Sequence, residues 1–204
     1  MINIIAQGFQ REGAMFMWAI LIFAGLALAL VIERVYYIYF KCSMGRADFM
    51  MNIARLLQAG KVDEAGKHAA SRTIPLAGVI SAVLNSKESG ETAVDKAVDE
   101  VYLTEAPRIN RYLNLLMTVA NLATLGGLLG TIYGLIVAFN AVANLPAAER
   151  PQALADGISI AMGTTFFGLT VAIPTIFMHG LLSSQSERLI EEMEEKAVKV
   201  MNLL

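Results

Sequence analysis

Charge is scarce in this chain, and cysteine scarcer still. Only 17% of its 204 residues are Asp, Glu, Lys or Arg, and the signs nearly cancel, with 16 Lys+Arg against 18 Asp+Glu for a net charge of −2. No positive field is available to neutralise phosphates, which excludes nucleic acid as a partner. The lone cysteine, Cys42, excludes an internal disulfide framework and any multi-thiolate zinc or iron–sulfur site. No nucleophile–base pair, metal-ligand cluster or phosphate loop emerges; GGLLG at 126–130 lies in an apolar run without the preceding strand that a nucleotide loop needs. The sequence therefore does not read as an enzyme and implies no cofactor.

What is abundant is apolar. Hydrophobic residues make up 56% of the chain and the mean hydropathy is +0.55. A soluble fold of this size needs more polar surface to cover its core, so part of the chain has lipid as its solvent. Gly13 to Ile32 are 20 consecutive uncharged residues, enough for a helix of roughly 30 Å, the thickness of a hydrocarbon core. Only Arg11 precedes the run as a basic residue, and the run is too long for a signal-peptide core, so it reads as a span. A second uncharged stretch runs from Tyr112 to Ala148 and closes as a span near Asn140 or Ala141, where turn residues follow; a third begins at Gly157.

Three spans divide the chain as follows: an outer segment 1–12, a first span 13–32, a helical region 33–111, a second span 112–141, an outer loop 142–156, a third span 157–180 and a C-terminal helix 181–204. Lysine and arginine are retained on the cytoplasmic side. With the N-terminus outside, all of them except Arg11 and Arg150 fall inside, so the orientation expected is N-terminus out and C-terminus in. The inner region reads as short amphipathic helices: FMMNIARLLQ, VDEAGKHAA, PLAGVISAVL and a stretch from Glu91 to Glu105. Pro107 either kinks the last of these or separates it from the second span; a kink is expected, because the helical pattern resumes at once. In the tail, Leu182, Leu189, Met193, Ala197, Val200 and Leu204 form a stripe that packs within one subunit or against another copy. The fold class is all-α and membrane-spanning, with long cytoplasmic helical extensions.

Polar groups inside a span are costly, so their positions are informative. At about 100° per residue, Thr131 shares a face with Thr124 and lies near Gly127 and Gly134. In the third span Thr165 lies near Ala161 and Gly168, with Thr164 on the adjoining side. Such stripes serve tight helix packing, threonine hydroxyls bonding back to their own helix, or they line a path. Ionisable residues are nearly absent from the spans. If ions cross, a carboxylate must come from another chain, because hydroxyl dipoles alone offset only part of an ion's desolvation. His179 sits at the inner end of the third span, as a wetted interfacial side chain or as a proton exchanger. Asp156 is expected to cap the N-terminus of the third span, with ion collection at the outer mouth as the alternative.

The segments LGGLLGTIYGLIVAF (Leu125–Phe139) and ADGISIAMGTTFFGLTVAIPT (Ala155–Thr175) closely resemble the MotA/TolQ/ExbB family of ion-channel stator subunits. The ERV ending of the first run, the Pro75-Leu76-Ala77 helix start and the acidic tail fit as well, so the resemblance covers nearly the whole chain. Three spans resemble the ExbB/TolQ branch. The resemblance implies a bacterial inner-membrane homopentamer around the membrane helices of a dimeric, single-span ExbD/TolR/MotB-like partner. An intramembrane aspartate of that partner carries the driving ion, H+ or Na+. It implies that Thr131 and Thr165 face that aspartate, and that the pentamer is a rotary energy transducer working across the envelope. One departure is Ile160, where ExbB and TolQ carry a glutamate; Thr164 beside Thr165 resembles the doubled threonine of sodium-driven members. The alternative is a non-conducting scaffold that recruits partners through its cytoplasmic helices. A small-solute carrier is disfavoured by the absence of inverted repeats.

Overall fold

The computed structural model describes residues 14–43, 45–87 and 90–204, so the expected outer segment 1–12 and Gly13 lie outside the described residues. The described chain is helical, with no strand among those residues. α1 (Ala14–Val35) passes directly into a π-helical stretch, Tyr36–Cys42. Then come α2 (Arg46–Gln58), α3 (Val62–Ala70), α4 (Pro75–Ser86), α5 (Glu91–Ile109), α6 (Leu113–Asn144) and α7 (Arg150–Met201). Three helical stretches are long and apolar enough to cross a membrane: Ala14–Gln58, Thr92–Asn144 and Arg150–Met201.

Two compact units divide the chain, the first made of 1–32 and 112–180, the second of 33–111 and 181–204. In the first unit, Ile20 of α1, Ala123 of α6 and Ala172 of α7 form a buried cluster, with Phe23, Phe167 and Val171 against it. Phe16 and Tyr133 add a tilted ring contact at 5.4 Å. Around this narrow core, large apolar side chains such as Ile22, Leu28, Leu125, Phe139, Met162 and Phe177 are exposed. A water-soluble monomer does not leave so much apolar surface uncovered.

The connection between α6 and α7 is shorter than the expected loop 142–156. α6 runs to Asn144 and stops because Leu145 is extended (φ −93°, ψ 154°) ahead of Pro146, as residues before proline are pushed to be. The backbone N–H of Glu149 donates to the Pro146 carbonyl at 3.0 Å, closing a turn. α7 then starts at Arg150, with Pro151 in its first turn, where a missing N–H breaks no helical bond. Asp156 consequently lies well inside α7 and does not cap it. The expected segments 157–180 and 181–204 are parts of one helix that continues through Pro174 to Met201.

In the second unit, α4 is the centre. Leu76, Ala77, Val79, Ile80, Val83 and Leu84 are all buried, and successive helices α2 to α5 pack in pairs. Phe49 stacks on His68 at 5.7 Å, and the expected tail stripe is buried at Leu182, Leu189, Met193, Ala197 and Val200. The kink expected at Pro107 is instead a break three residues later. α5 continues past Pro107 to Ile109, and the chain turns at Asn110–Tyr112, with Tyr112 in the left-handed region (φ 65°), before α6 begins. The proline removes a hydrogen bond from the last turn of α5, and the left-handed residue completes the interruption. Within this unit the Ser186 hydroxyl of α7 donates to the Asn110 side-chain carbonyl at 2.6 Å.

Candidate functional site

α6 and α7 run antiparallel at very close range. Ala123, Gly127, Gly130, Gly134 and Ala138 of α6 are buried, and so are Gly157, Ala161, Thr164 and Gly168 of α7. A methyl carbon built on Gly134 would lie 2.7 Å from the backbone nitrogen of Ala161 and 2.8 Å from the Gly157 carbonyl oxygen. One on Gly168 would lie 2.7 Å from the Ala123 carbonyl oxygen, and one on Gly130 would lie 2.6 Å from the Thr164 side chain. Small residues let backbones meet in this way where the hydrophobic effect does not drive helices together. The sequence reading picks out Gly127, Gly134, Ala161 and Gly168 but misses Gly130, Gly157 and Ala138. The four-residue spacing Gly126, Gly130, Gly134, Ala138 is the signal that finds Gly130 and Ala138, and the spacing of Gly157 four residues before Ala161 finds the third.

The threonines divide into two groups. Thr164 is 2% exposed, with its side chain in the space left by Gly130 and its hydroxyl donating to the carbonyls of Ile160 (3.2 Å) and Ala161 (3.0 Å). It sits between the helices. Thr165 and Thr131 are half-buried on the flank of the contact. The Thr165 hydroxyl donates across to the Gly127 carbonyl at 3.2 Å. In an α-helix that same carbonyl accepts the N–H of the residue four positions on, here Thr131. One carbonyl thus ties the two threonines to the same level. The Thr131 hydroxyl donates to Leu128 and the exposed Thr124 hydroxyl to Ala120 (3.2 Å), both in their own helix. With its proton used in this way, each hydroxyl turns oxygen lone pairs outward, an arrangement suited to a cation and not to an anion.

The other candidates stand apart. Asp156 takes a 3.4 Å hydrogen bond from the Gln152 amide and, at about 100° per residue, lies on the side of α7 opposite Thr165. His179 is half-buried four turns further along the helix. Ile160, half-buried, places an alkyl group at the position where the resemblance to ExbB and TolQ leads one to expect a glutamate. α1 from Ala14 to Ile32 and the whole of α6 contain no Asp, Glu, Lys, Arg or His. Among the described residues no group of three or more His, Cys, Asp or Glu side chains is placed to hold a metal.

A multi-helix apolar unit closed by a tight small-residue seam defines a class, the helical membrane proteins. The description "MotA/TolQ/ExbB proton channel family" matches residues 67–195, and the chain belongs to that family. Among curated proteins it is similar to the biopolymer transport protein exbB1 of Vibrio cholerae, 28% identical over 92% of this chain and 83% of the relative. An ExbB-like biopolymer transport protein of Synechocystis is 27% identical over 79% of this chain and 77% of the relative. A protein named as an ExbB homolog in Methanothermobacter thermautotrophicus is 24% identical over 90% of this chain and 65% of the relative. Together with the three apolar helical stretches, membership makes this a multi-pass membrane protein.

Proposed function

We propose that the chain is the channel-forming subunit of an ion-driven energy transducer of the bacterial inner membrane. The observation that carries the reading is the pairing of Thr131 and Thr165 about the Gly127 carbonyl, on an acceptor-rich flank that has no acid: α6 contains none, and Asp156 of α7 lies on the opposite side of its helix. The missing charge comes from a partner: a dimeric, single-span protein of the ExbD/TolR/MotB type whose intramembrane aspartate binds and releases H+ or Na+. Five copies of this chain surround it, with N-termini outside and C-termini in the cytoplasm, as the distribution of Lys and Arg supports. Thr131 and Thr165 solvate the ion during transfer, Thr124 extends the same face, and Thr164 holds α6 to α7. Each charge that crosses releases about 2.3 kcal/mol per 100 mV, so work on the envelope draws on several charges per cycle.

Thr131→Val and Thr165→Val, co-expressed with the partner in native membranes, are expected to lower ion uptake about 10- to 150-fold, the worth of one hydrogen bond to a charged group. Serine at either position is expected to retain uptake. Wild-type uptake in both valine variants overturns the assignment and favours the scaffold. Exchange of Na+ for K+ at fixed pH then separates the ions, since a proton-driven machine is indifferent to it.

A further inference from the structure

The α5-proximal half of α6 carries a polar face that the threonine pair does not use. Asn114, Thr118 and Asn121 are exposed and fall within an arc of roughly 60° at about 100° per residue; Thr124 continues the arc towards Thr131. The Thr118 hydroxyl donates to the Asn114 carbonyl at 2.9 Å, as the Thr124 hydroxyl does to Ala120, so both present lone pairs outward. The same arc is apolar from Leu125 onward, with Leu125, Leu128, Ile132, Leu135, Ile136 and Phe139 exposed, while Thr124 and Thr131 lie along its edge. No charged residue occurs anywhere in α6. Exposed carboxamides two turns into such a helix are unstable against hydrocarbon and need water or polar partners.

We propose that this face is a water-filled exit lane, by which the hydrated cation leaves the Thr131–Thr165 pair for the cytoplasm. The inference rests on the ion-pathway reading and extends it. A row of neutral acceptors, Asn114, Thr118, Asn121 and Thr124, replaces parts of a hydration shell in sequence without a fixed charge that would trap the ion. The apolar arc that begins at Leu125 makes the lane one-sided: it is wet from Asn114 to Asn121, passes Leu125 and Leu128 along the edge marked by Thr124 and Thr131, and is dry towards the outside.

The test is thiol accessibility in the full chain, co-expressed with its partner, in a Cys42→Ser background. Cys42 itself is buried, and burial pushes its thiol pKa up, so the native side chain adds little labelling. Thr118→Cys and Asn121→Cys are expected to react with a membrane-impermeant cationic methanethiosulfonate in inside-out vesicles. The expected rate is at least tenfold above that from the opposite face and above that of Leu122→Cys, and an anionic reagent is expected to be slower. Asn121→Leu is expected to lower ion uptake at least fivefold while still copurifying with the partner, and Asn121→Ser to restore it. Unreactive Thr118→Cys and Asn121→Cys, or oxidative cross-linking of Asn121→Cys between copies, overturns the lane and makes the face a packing surface. If Thr131→Val abolishes uptake while these cysteines stay inert, the lane fails and the pathway stands. Undiminished uptake in both Thr131→Val and Thr165→Val removes the pathway and the lane with it.

Discussion

A single methyl group at Gly134 or Gly168 is expected to disrupt the folded membrane unit, whereas the same methyl at Gly163 is expected to be silent. The added carbon at Gly134 meets a backbone nitrogen and a carbonyl oxygen of α7, and at Gly168 a carbonyl oxygen of α6, each within 2.8 Å. Backbone atoms cannot rotate aside as a side chain can, so the helices must separate. That places the cost at the upper end of the overpacking range, about 3 kcal/mol per site, and opening the seam also breaks the Thr165–Gly127 hydrogen bond. Gly163 has no atom within 4 Å of the added carbon, and alanine is the better helix former by about 1 kcal/mol. Gly130 is the diagnostic intermediate, because its neighbour is the Thr164 side chain. Gly130→Ala is expected to cost about 1–2 kcal/mol and to be relieved in a double-mutant cycle by Thr164→Gly, which removes the Cβ 2.6 Å away, and less by Thr164→Ala, which keeps it. No side-chain substitution in α7 relieves Gly134→Ala. Thermal unfolding in detergent, followed by loss of monodisperse protein, measures all four variants. A wild-type midpoint for Gly134→Ala shows that the helices do not approach this closely.

The sequence made the helices themselves legible, because an uncharged run of span length and a 3.6-residue stripe are local signals. α3 coincides with VDEAGKHAA and α4 opens at Pro75 as its sequence indicates. What misled was punctuation. Asn144, Pro146 and Pro151 look like one long turn, yet Pro146 ends one helix and Pro151 belongs to the first turn of the next, a difference that depends on two or three residues of register. Read as one turn, that stretch makes Asp156 a cap, whereas it lies inside α7. The threonine stripes were visible as stripes, but which of two adjacent threonines faces α6 depends on the rotation of α7 about its own axis. Rotation is set by where backbones can touch, and hence by Gly127, Gly130 and Gly134 across the seam. Residues 164 and 165 differ by about 100°, enough to place one hydroxyl inside the seam and the other on its flank.

Arg34→Ala is the second large effect expected, and it acts in the other unit. Arg34 is 2% exposed although it is a full charge. Its guanidinium pairs with Glu33 and donates to the carbonyls of Arg108 (3.3 Å) and Ile109 (3.4 Å), the last of α5. It also stands 4.7 Å from the centre of the Tyr37 ring. A cation at a helix C-terminus satisfies carbonyls that lack helical donors and complements the helix dipole, and this helix needs both because the chain breaks immediately after it, at Asn110–Tyr112. Removing a buried charge from such a set costs about 3–5 kcal/mol. The lower end is expected here, because the Glu33 side chain is 46% exposed and can turn to water. Lysine keeps the charge but not the planar fork, so Arg34→Lys is expected to lose about half as much. Hydrogen exchange over 101–112 measures the effect locally. Faster exchange there in Arg34→Ala, with protection of α4 unchanged, is the expected pattern. Unchanged exchange in the last turn of α5 shows that the guanidinium does not hold the end of that helix.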